Sequence, residues 1–197
     1  MILSDREIQV ALERGAMKIT PLPDPLRWSS TAIDLTLDGK LQVWKSIDRS
    51  GTETVISPAD PEFNATSLAE NHATLEDCSK GFVLEPGSFV LGWTIEKIQL
   101  PHTSRVAARV EGKSSLARIG VGVHVTAPTI HAGFGYVDGS PGFSGNPIQL
   151  EIWNAGPLRV KLLKGIPICQ LIFEEVHGTP SKGYEGRFKV QGPTELK

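Results

Sequence analysis

This chain contains almost no cysteine, no long apolar segment and no excess of one charge. Its 197 residues include only Cys78 and Cys169, and this spacing excludes a disulfide framework or a cysteine zinc site. The net charge of -2 gives no basic field for nucleic acid. No apolar run has membrane-spanning length, and the first residues lack the order of a signal peptide. We therefore expect a soluble cytoplasmic protein.

The segments that are present predict a mainly β protein that begins with a short helix. In LSDREIQVALERG, Ser4 and Glu7 form a capping box and Gly15 is a C-terminal stop. Short runs of β-forming residues follow, separated by Pro and Gly: TAIDLTL, SFVLGWTI, SRVAARV, GVGVHVT, IQLEIW and IPICQLIFEE. Because no regular strand–helix alternation occurs, a doubly wound fold is not expected.

Three segments depart from this pattern. Residues 46–80 are mostly polar, which predicts a surface excursion with a short helix near residues 65–71. Residues 127–147 are rich in Gly and Pro, and a loop of this length in a compact domain is usually functional or disordered. The polar residues 178–197 predict a mobile C-terminal arm on a single domain of residues 1–177.

The stretch VEGKSSLARIG contains the Gly-Lys-Ser that ends a phosphate-binding loop. The nucleoside-triphosphatase pattern fails, because Ala107 stands where the first glycine is required. Instead, a strand leads into about two helical turns, with Ser114 or Ser115 as the cap. Free amides there, with Lys113 and Arg118, form an anion site; the alternative is a capped helix with two solvated cations.

Other polar residues allow a functional and a structural interpretation. In IQLEIWNAG, Gln149, Glu151 and Trp153 share one strand face, so Glu151 is either a general base or an ordinary exposed carboxylate. The tail either closes over a planar anionic ligand or is a disordered terminus; its candidate residues are Tyr184, Arg187, Phe188, Lys189 and Gln191. His124 and His131 are weaker candidates.

Taken together, VEGKSSLARIGVGVHVTA, PGFSGNPIQLEIWNAG and GIPICQLIFE resemble the dCTP deaminase family of the dUTPase superfamily in order and spacing. MILSDREI and STAIDLTL match the N-terminal region of that family, so the resemblance covers nearly the whole chain. It implies a dUTPase-like β-clip, a distorted β-barrel that assembles as a homotrimer with active sites between subunits.

The resemblance also implies roles for individual residues. Glu151 matches the catalytic carboxylate, with Gln149 and Leu150 beside it along the base pocket. Tyr184, Arg187 and Gln191 match an arm that folds over the phosphates, and Mg²⁺ arrives bound to the triphosphate. The nucleotide-binding segment comprises Lys113, Ser114, Ser115, Leu116, Ala117 and Arg118; Lys113 stands where Arg is usual.

These roles imply a zinc-free deamination. The H-x-E and P-C-x-x-C signatures of zinc deaminases are missing. Glu151 would deprotonate a water that attacks C4 of cytosine and then pass the proton to the leaving amine. Ser114 would position the water, and Arg118 would favour ionised Glu151 and stabilise developing charge. The expected products are dUTP and ammonia.

The match breaks in the Gly-rich loop. The family has an Ile-Asp-x-Gly-aromatic element whose Asp contacts the sugar and, in the dUTP-hydrolysing branch, orients water. TIHAGF places His131 there, whereas VDGSPGF supplies Asp138 from a longer loop. A neutral His suits a sugar hydroxyl better than it suits water activation at phosphorus, which favours deamination alone. The alternatives are a dUTP diphosphatase, a bifunctional enzyme giving dUMP, and a non-catalytic nucleotide sensor.

Overall fold

The protein is seen in a computed structural model that describes residues 1–45, 55–123, 127–140 and 142–186. Within these ranges the helices are α1 (Asp5–Glu13), α2 (Ala65–His72) and α3 (Ser114–Ala117). The strands there are β1 (Lys18–Thr20), β2 (Ile33–Trp44), β3 (Ala73–Asp77), β4 (Phe82–Leu84), β5 (Phe89–Gln99), β6 (Val106–Gly112), β7 (Val121–Val123), β8 (Thr129–Ile130), β9 (Asn146–Asn154), β10 (Val160–Leu162) and β11 (Pro167–Glu175). The mainly β prediction is confirmed.

The N-terminal helix forms as its sequence predicts. Ser4 caps α1, and the reciprocal hydrogen bonds of the capping box with Glu7 are both present. Gly15 follows the helix with a φ of 70°, a conformation that favours glycine. Ile8 is fully buried, so α1 lies with one face on the sheet.

One antiparallel sheet forms most of the molecule, with the strand order β7-β9-β5-β2-β11-β6-β8. β1 adds to β5, β3 adds to β2, and β4 and β10 form a separate pair. The first half of β2 pairs with β11, whereas its second half pairs with β3 and β5. In a distorted barrel, a long strand pairs with different strands along its length, as β2 does here.

Alternation along the strands places the hydrophobic core. Ile33, Leu35 and Leu37 of β2 are 0% exposed, so the predicted inner face is confirmed. On β9, Leu150 is likewise 0% exposed, and Ile148 and Ile152 are buried beside it. Gln149, Glu151 and Trp153, which alternate with these residues, therefore face away from the core.

A buried carboxylate joins the central strands. Glu96 of β5 accepts hydrogen bonds from the Thr36 amide at 2.8 Å and from the Thr36 hydroxyl at 2.7 Å. The Thr94 hydroxyl donates to the Glu96 carbonyl at 2.7 Å and accepts from the Ile148 amide at 2.9 Å. These contacts link β2, β5 and β9 where their pairing shifts. Glu96 is buried, yet both its carboxylate oxygens have donors.

The polar segment before Lys80 is more ordered than its composition predicts. Its short helix is confirmed as α2, but residues 73–77 form β3 rather than a surface excursion. Only Ala73 of this strand is buried, so the sequence of β3 has little hydrophobic pattern. The strand joins the sheet mainly through backbone pairing. Residues 46–54 of this segment lie outside the described residues. No helix in the described ranges is long and apolar enough to cross a membrane.

The two cysteines are buried thiols, and we predict that both resist alkylation in the native protein. Burial is the main cause that raises the pKa of Cys78, followed by the nearby Asp77 carboxylate. Burial also raises the pKa of Cys169, and the Glu96 and Asp34 carboxylates add to this. The thiolate is the reactive form, so labelling should be slow until the chain unfolds.

Thiol titration with and without guanidinium checks this prediction. Native-state labelling at the rate of a free thiol would contradict it. The folded state also keeps its thiol protons at a pH where unfolded thiols, with a pKa of about 8.5, have lost them. The thiol contribution to stability should therefore be intact below that pH and decline as the pH rises above it.

Candidate active site

The Lys-Ser-Ser segment follows β6 as a single helical turn. Lys113 is the N-cap in an extended conformation, and its carbonyl accepts from the amides of Leu116 at 3.0 Å and Ala117 at 2.9 Å. The predicted cap at Ser114 or Ser115 is therefore wrong, because both residues already belong to the four-residue helix α3. The prediction of about two turns was too long for the same helix.

Four of the six residues expected to meet a nucleotide are exposed on or directly after α3. Ser114, Ser115, Ala117 and Arg118 are exposed, whereas Leu116 packs partly against the core. The Arg118 amide donates to the Ser114 carbonyl at 3.1 Å, so the two residues lie one helical turn apart on the same side. The segment thus presents two hydroxyls and a guanidinium to solvent.

The ammonium group of Lys113 has a partner that the sequence did not reveal. Its Nζ lies 2.5 Å from Oδ2 of Asp34 on β2, and the two side chains are only 19% and 18% exposed. The amide of Gln170 on β11 donates to the other Asp34 carboxylate oxygen at 3.2 Å. Asp34 alternates with Ile33 and Leu35 in AIDLTL, so its outward direction was predictable, but its neighbour was not.

Glu151 lies on the face of β9 that is turned from the core. Gln149, Glu151 and Trp153 are half-buried on this face, as their alternation predicts. The Gln149 amide donates to Oε1 of Gln42 on β2 at 3.5 Å, a contact without a sequence signal. Leu150 was expected along the base pocket, but its side chain is in the core. It can face a ligand only through its backbone.

Glycines join α3 to the strand that carries Glu151. The amide of Ala155, just after β9, donates to the Gly120 carbonyl at 2.8 Å, just after α3. A Cβ on Gly120 would overlap the backbone of Gly156, so the two segments meet at glycine distance. Beyond them, Gly122 of β7 lies under the indole of Trp153 and leaves no room for a side chain.

The Gly-rich loop is anchored to the end of β5. Leu100 and the loop exchange backbone hydrogen bonds, one from the Leu100 amide to the Phe134 carbonyl at 2.9 Å and one from the Gly133 amide to the Leu100 carbonyl at 2.5 Å. Phe134 is 3% exposed, and Gly135 packs against the Ile98 carbonyl. Much of the predicted long loop is therefore fixed, with β8 at its start and β9 at its end.

The structure brings together two predicted ligand-binding residues, His131 and Tyr184. Their rings stack with centroids 5.4 Å apart and planes within 13°. Gly133 permits this approach, because a Cβ there would overlap the Tyr184 amide nitrogen. Asp138, the other candidate for the loop role, is exposed and accepts a 3.5 Å hydrogen bond from the Tyr136 hydroxyl. Arg187, Gln191, Phe188, Lys189 and His124 lie outside the described residues.

Comparisons with known proteins agree with this architecture. The family model described as dCTP deaminase-like matches residues 2–176. A "dCTP deaminase, dUMP-forming" from Methanosphaera stadtmanae is 37% identical over 93% of this chain and 83% of its own length. A protein of the same name from Corynebacterium jeikeium is 37% identical over 100% of this chain and 96% of its own.

A solved structure supports the fold. The 2'-deoxycytidine 5'-triphosphate deaminase from Agrobacterium tumefaciens superposes with a TM-score of 0.63 over 89% of this chain, at 21% identity. This chain spans 48% of that protein. At this identity the likeness concerns the fold alone, and it agrees with the predicted fold, a mainly β distorted barrel. The homotrimer expected with that fold remains a prediction.

The relatives contradict one expectation from the sequence. The predicted product was dUTP, because His131 stands where an acidic residue would activate water at phosphorus. The curated relatives are named dUMP-forming instead, which favours the alternative in which deamination is joined to diphosphate release. The family match over residues 2–176 and the relatives that align over nearly all of the sequence show that this chain belongs to the dCTP deaminase-like family.

Proposed function

We propose that the protein hydrolyses dCTP to dUMP with release of ammonia and pyrophosphate. The observation that carries this proposal is its 37% identity, over nearly all of the chain, to relatives named for that product. The family match and these relatives bear out the predicted enzyme class, a dCTP deaminase. Two waters are consumed, one at C4 of cytosine and one at phosphorus.

Deamination is assigned to Glu151 and the α3 segment. The Glu151 carboxylate takes a proton from water, the oxygen attacks C4, and the proton passes to the leaving amine. Ser114 positions that water and Arg118 stabilises the developing charge. Exposure of Ser114 and Arg118 on one side of α3 supports these roles. Gln149, held by Gln42, lines the base pocket beside Glu151.

Phosphate binding is assigned to Lys113, Ser115 and the backbone of Leu116 and Ala117. Tyr184, with Arg187 and Gln191 beyond it, covers the phosphates. The anchored loop supplies the sugar contact through His131, which lies directly after β8 and against Tyr184. His131 is also a candidate to orient the water at phosphorus, because an imidazole nitrogen can accept a hydrogen bond. Asp138 is the alternative for that step.

Assembly and the metal requirement belong to the same proposal. A homotrimer would place Glu151 of one subunit near the nucleotide held by α3 of another, and the half-buried polar face of β9 supports this arrangement. No group of three or more His, Cys, Asp or Glu suitable for a metal occurs in residues 1–45, 55–123, 127–140 and 142–186. The described side chains suit a Mg²⁺ ion held mainly by phosphate oxygens and water.

A product assay with dCTP tests the proposal. We expect equimolar ammonia, pyrophosphate and dUMP, with little free dUTP at any time, because both hydrolyses occur in one site. Accumulation of dUTP matching the ammonia, or no turnover by an intact oligomer, would contradict it. His131→Ala and Asp138→Asn assign the second step, because the variant that lacks the relevant group should release ammonia and accumulate dUTP.

A further inference from the structure

Lys113 is held by residues of two other strands. From the end of β6, its side chain reaches past β11 to Asp34 on β2. β11 lies between these strands, and its Gln170 pairs in the ladder with Asp34 on one side and with Glu111 on the other. Gln170 also fixes the free oxygen of the Asp34 carboxylate. Three adjacent strands thus contribute to the position of one ammonium group.

We propose that Asp34 is a positioning residue for nucleotide binding, which holds the Lys113 ammonium ready for the triphosphate while Gln170 holds Asp34. This inference rests on the proposed function, in which Lys113 contacts phosphate. Asp34 itself does not contact the nucleotide. It acts through Lys113.

The chemistry of lysine explains why a positioning partner matters here. A lysine ammonium has three hydrogen-bond donors, so the contact with Asp34 leaves donors for phosphate. The lysine stem is flexible and lacks the fixed fork of arginine, the residue usual at this place in the family, so its rotamer freedom must be restricted before it binds. The partly buried pair restricts it on folding rather than on binding, which favours affinity.

The Asp34 carboxylate also has an effect that opposes positioning, so the two effects change the affinity for the nucleotide in opposite directions. Asp34 cancels part of the Lys113 charge, so its removal would strengthen attraction to a triphosphate if charge alone mattered. If positioning dominates, removal weakens binding, because an ammonium that has lost its partner no longer stays at the start of α3. The direction of the change in affinity therefore separates the two effects.

The test is a double-variant cycle with Asp34→Asn and Lys113→Met. Asp34→Asn should raise the KM for dCTP about tenfold while kcat stays within about twofold, since only binding loses its preorganised donor. In the Lys113→Met background the same change should have less than about a twofold effect, because Asp34 acts through Lys113. Affinity for dCTP by calorimetry, in a Glu151→Gln background that slows deamination about a thousandfold, gives the same cycle as a binding measurement.

Asp38→Asn is the matched control. Asp38 lies four residues further along β2 than Asp34, and its carboxylate faces the Lys164 ammonium at 3.7 Å. The Asp38→Asn substitution therefore removes the same charge from the same strand at a residue that does not pair with Lys113. The KM of the Asp38→Asn protein for dCTP should equal that of the parent. Gln170→Met is a second variant that keeps Asp34; it should raise the KM in the same direction and lose this effect with Lys113→Met.

The outcomes separate this inference from the proposed function. A lower KM in Asp34→Asn, an unchanged KM, or an equal effect in both Lys113 backgrounds would overturn the positioning role. If Asp34→Asn does not fold, the Gln170→Met cycle decides by the same criteria. If the parent protein binds dCTP but does not convert it, the proposed function fails while the calorimetric cycle still decides the role of Asp34. If the parent does not bind dCTP, both fail.

Discussion

Replacement of Glu151 by Gln should reduce ammonia release from dCTP by about three orders of magnitude. Glutamine keeps the size of the side chain but cannot take a proton from water or return it to the leaving amine. The change lies on the half-buried outer face of β9, opposite the core residues, so the fold should be retained. The measurement is kcat for ammonia at saturating dCTP, with dCTP affinity by calorimetry.

Glu76→Gln on β3 is the matched control, because it makes the same change at an exposed strand position. Its kcat should equal that of the parent. The thermal transition of both variants should stay close to that of the parent, which separates loss of chemistry from loss of folding. A Glu151→Gln protein with more than about a tenth of the parental kcat would show that another group carries the proton, since loss of a general base costs at least about a hundredfold.

Replacement of Gly120 by Ala should lower the free energy of unfolding by about 3 kcal/mol. Two causes act together at this position. The φ of Gly120 is 86°, where a side chain is strained, and the added Cβ would overlap the backbone of Gly156. Chemical denaturation measures the change. Because Gly120 joins α3 to the strand of Glu151, the variant should also bind dCTP less tightly.

Gly165→Ala separates the two causes. Its φ of 83° nearly equals that of Gly120, but nothing lies within 4 Å of the added Cβ. Gly165→Ala should lower the free energy of unfolding by only about 1 kcal/mol, because the positive φ is its only cause of strain. Equal losses in the two variants would show that the contact between Gly120 and Gly156 contributes nothing to stability.

The elements that local sequence determines were predictable. The capping box of α1 and the alternation of Ile33, Leu35 and Leu37 depend on residues a few positions apart, and both were confirmed. The position of Glu151 on the outer face of β9 followed from the same period of two. The resemblance to the family supplied its role, which the pattern alone left open.

The features that were missed depend on distant pairing. The ion pair between Asp34 and Lys113 requires β11 to lie between β2 and β6, an order that no local pattern specifies. β3 was missed because only Ala73 of its residues is buried, so the strand has little hydrophobic pattern and its position follows from pairing with the distant β2. The cap of α3 was misplaced because a Ser-Ser pair in a one-turn helix fits either at the cap or within the turn.

The buried contact between Thr36 and Glu96 has a consequence for folding that goes beyond its contribution to the final structure. If β2 slipped by one residue against β5, Thr36 would turn to the other face and leave the buried Glu96 carboxylate without these two donors. An unpaired buried charge costs several kcal/mol. The network therefore selects against misaligned pairing of β2 with β5. β2 carries Asp34, and β5 pairs on its other side with β9, which carries Glu151.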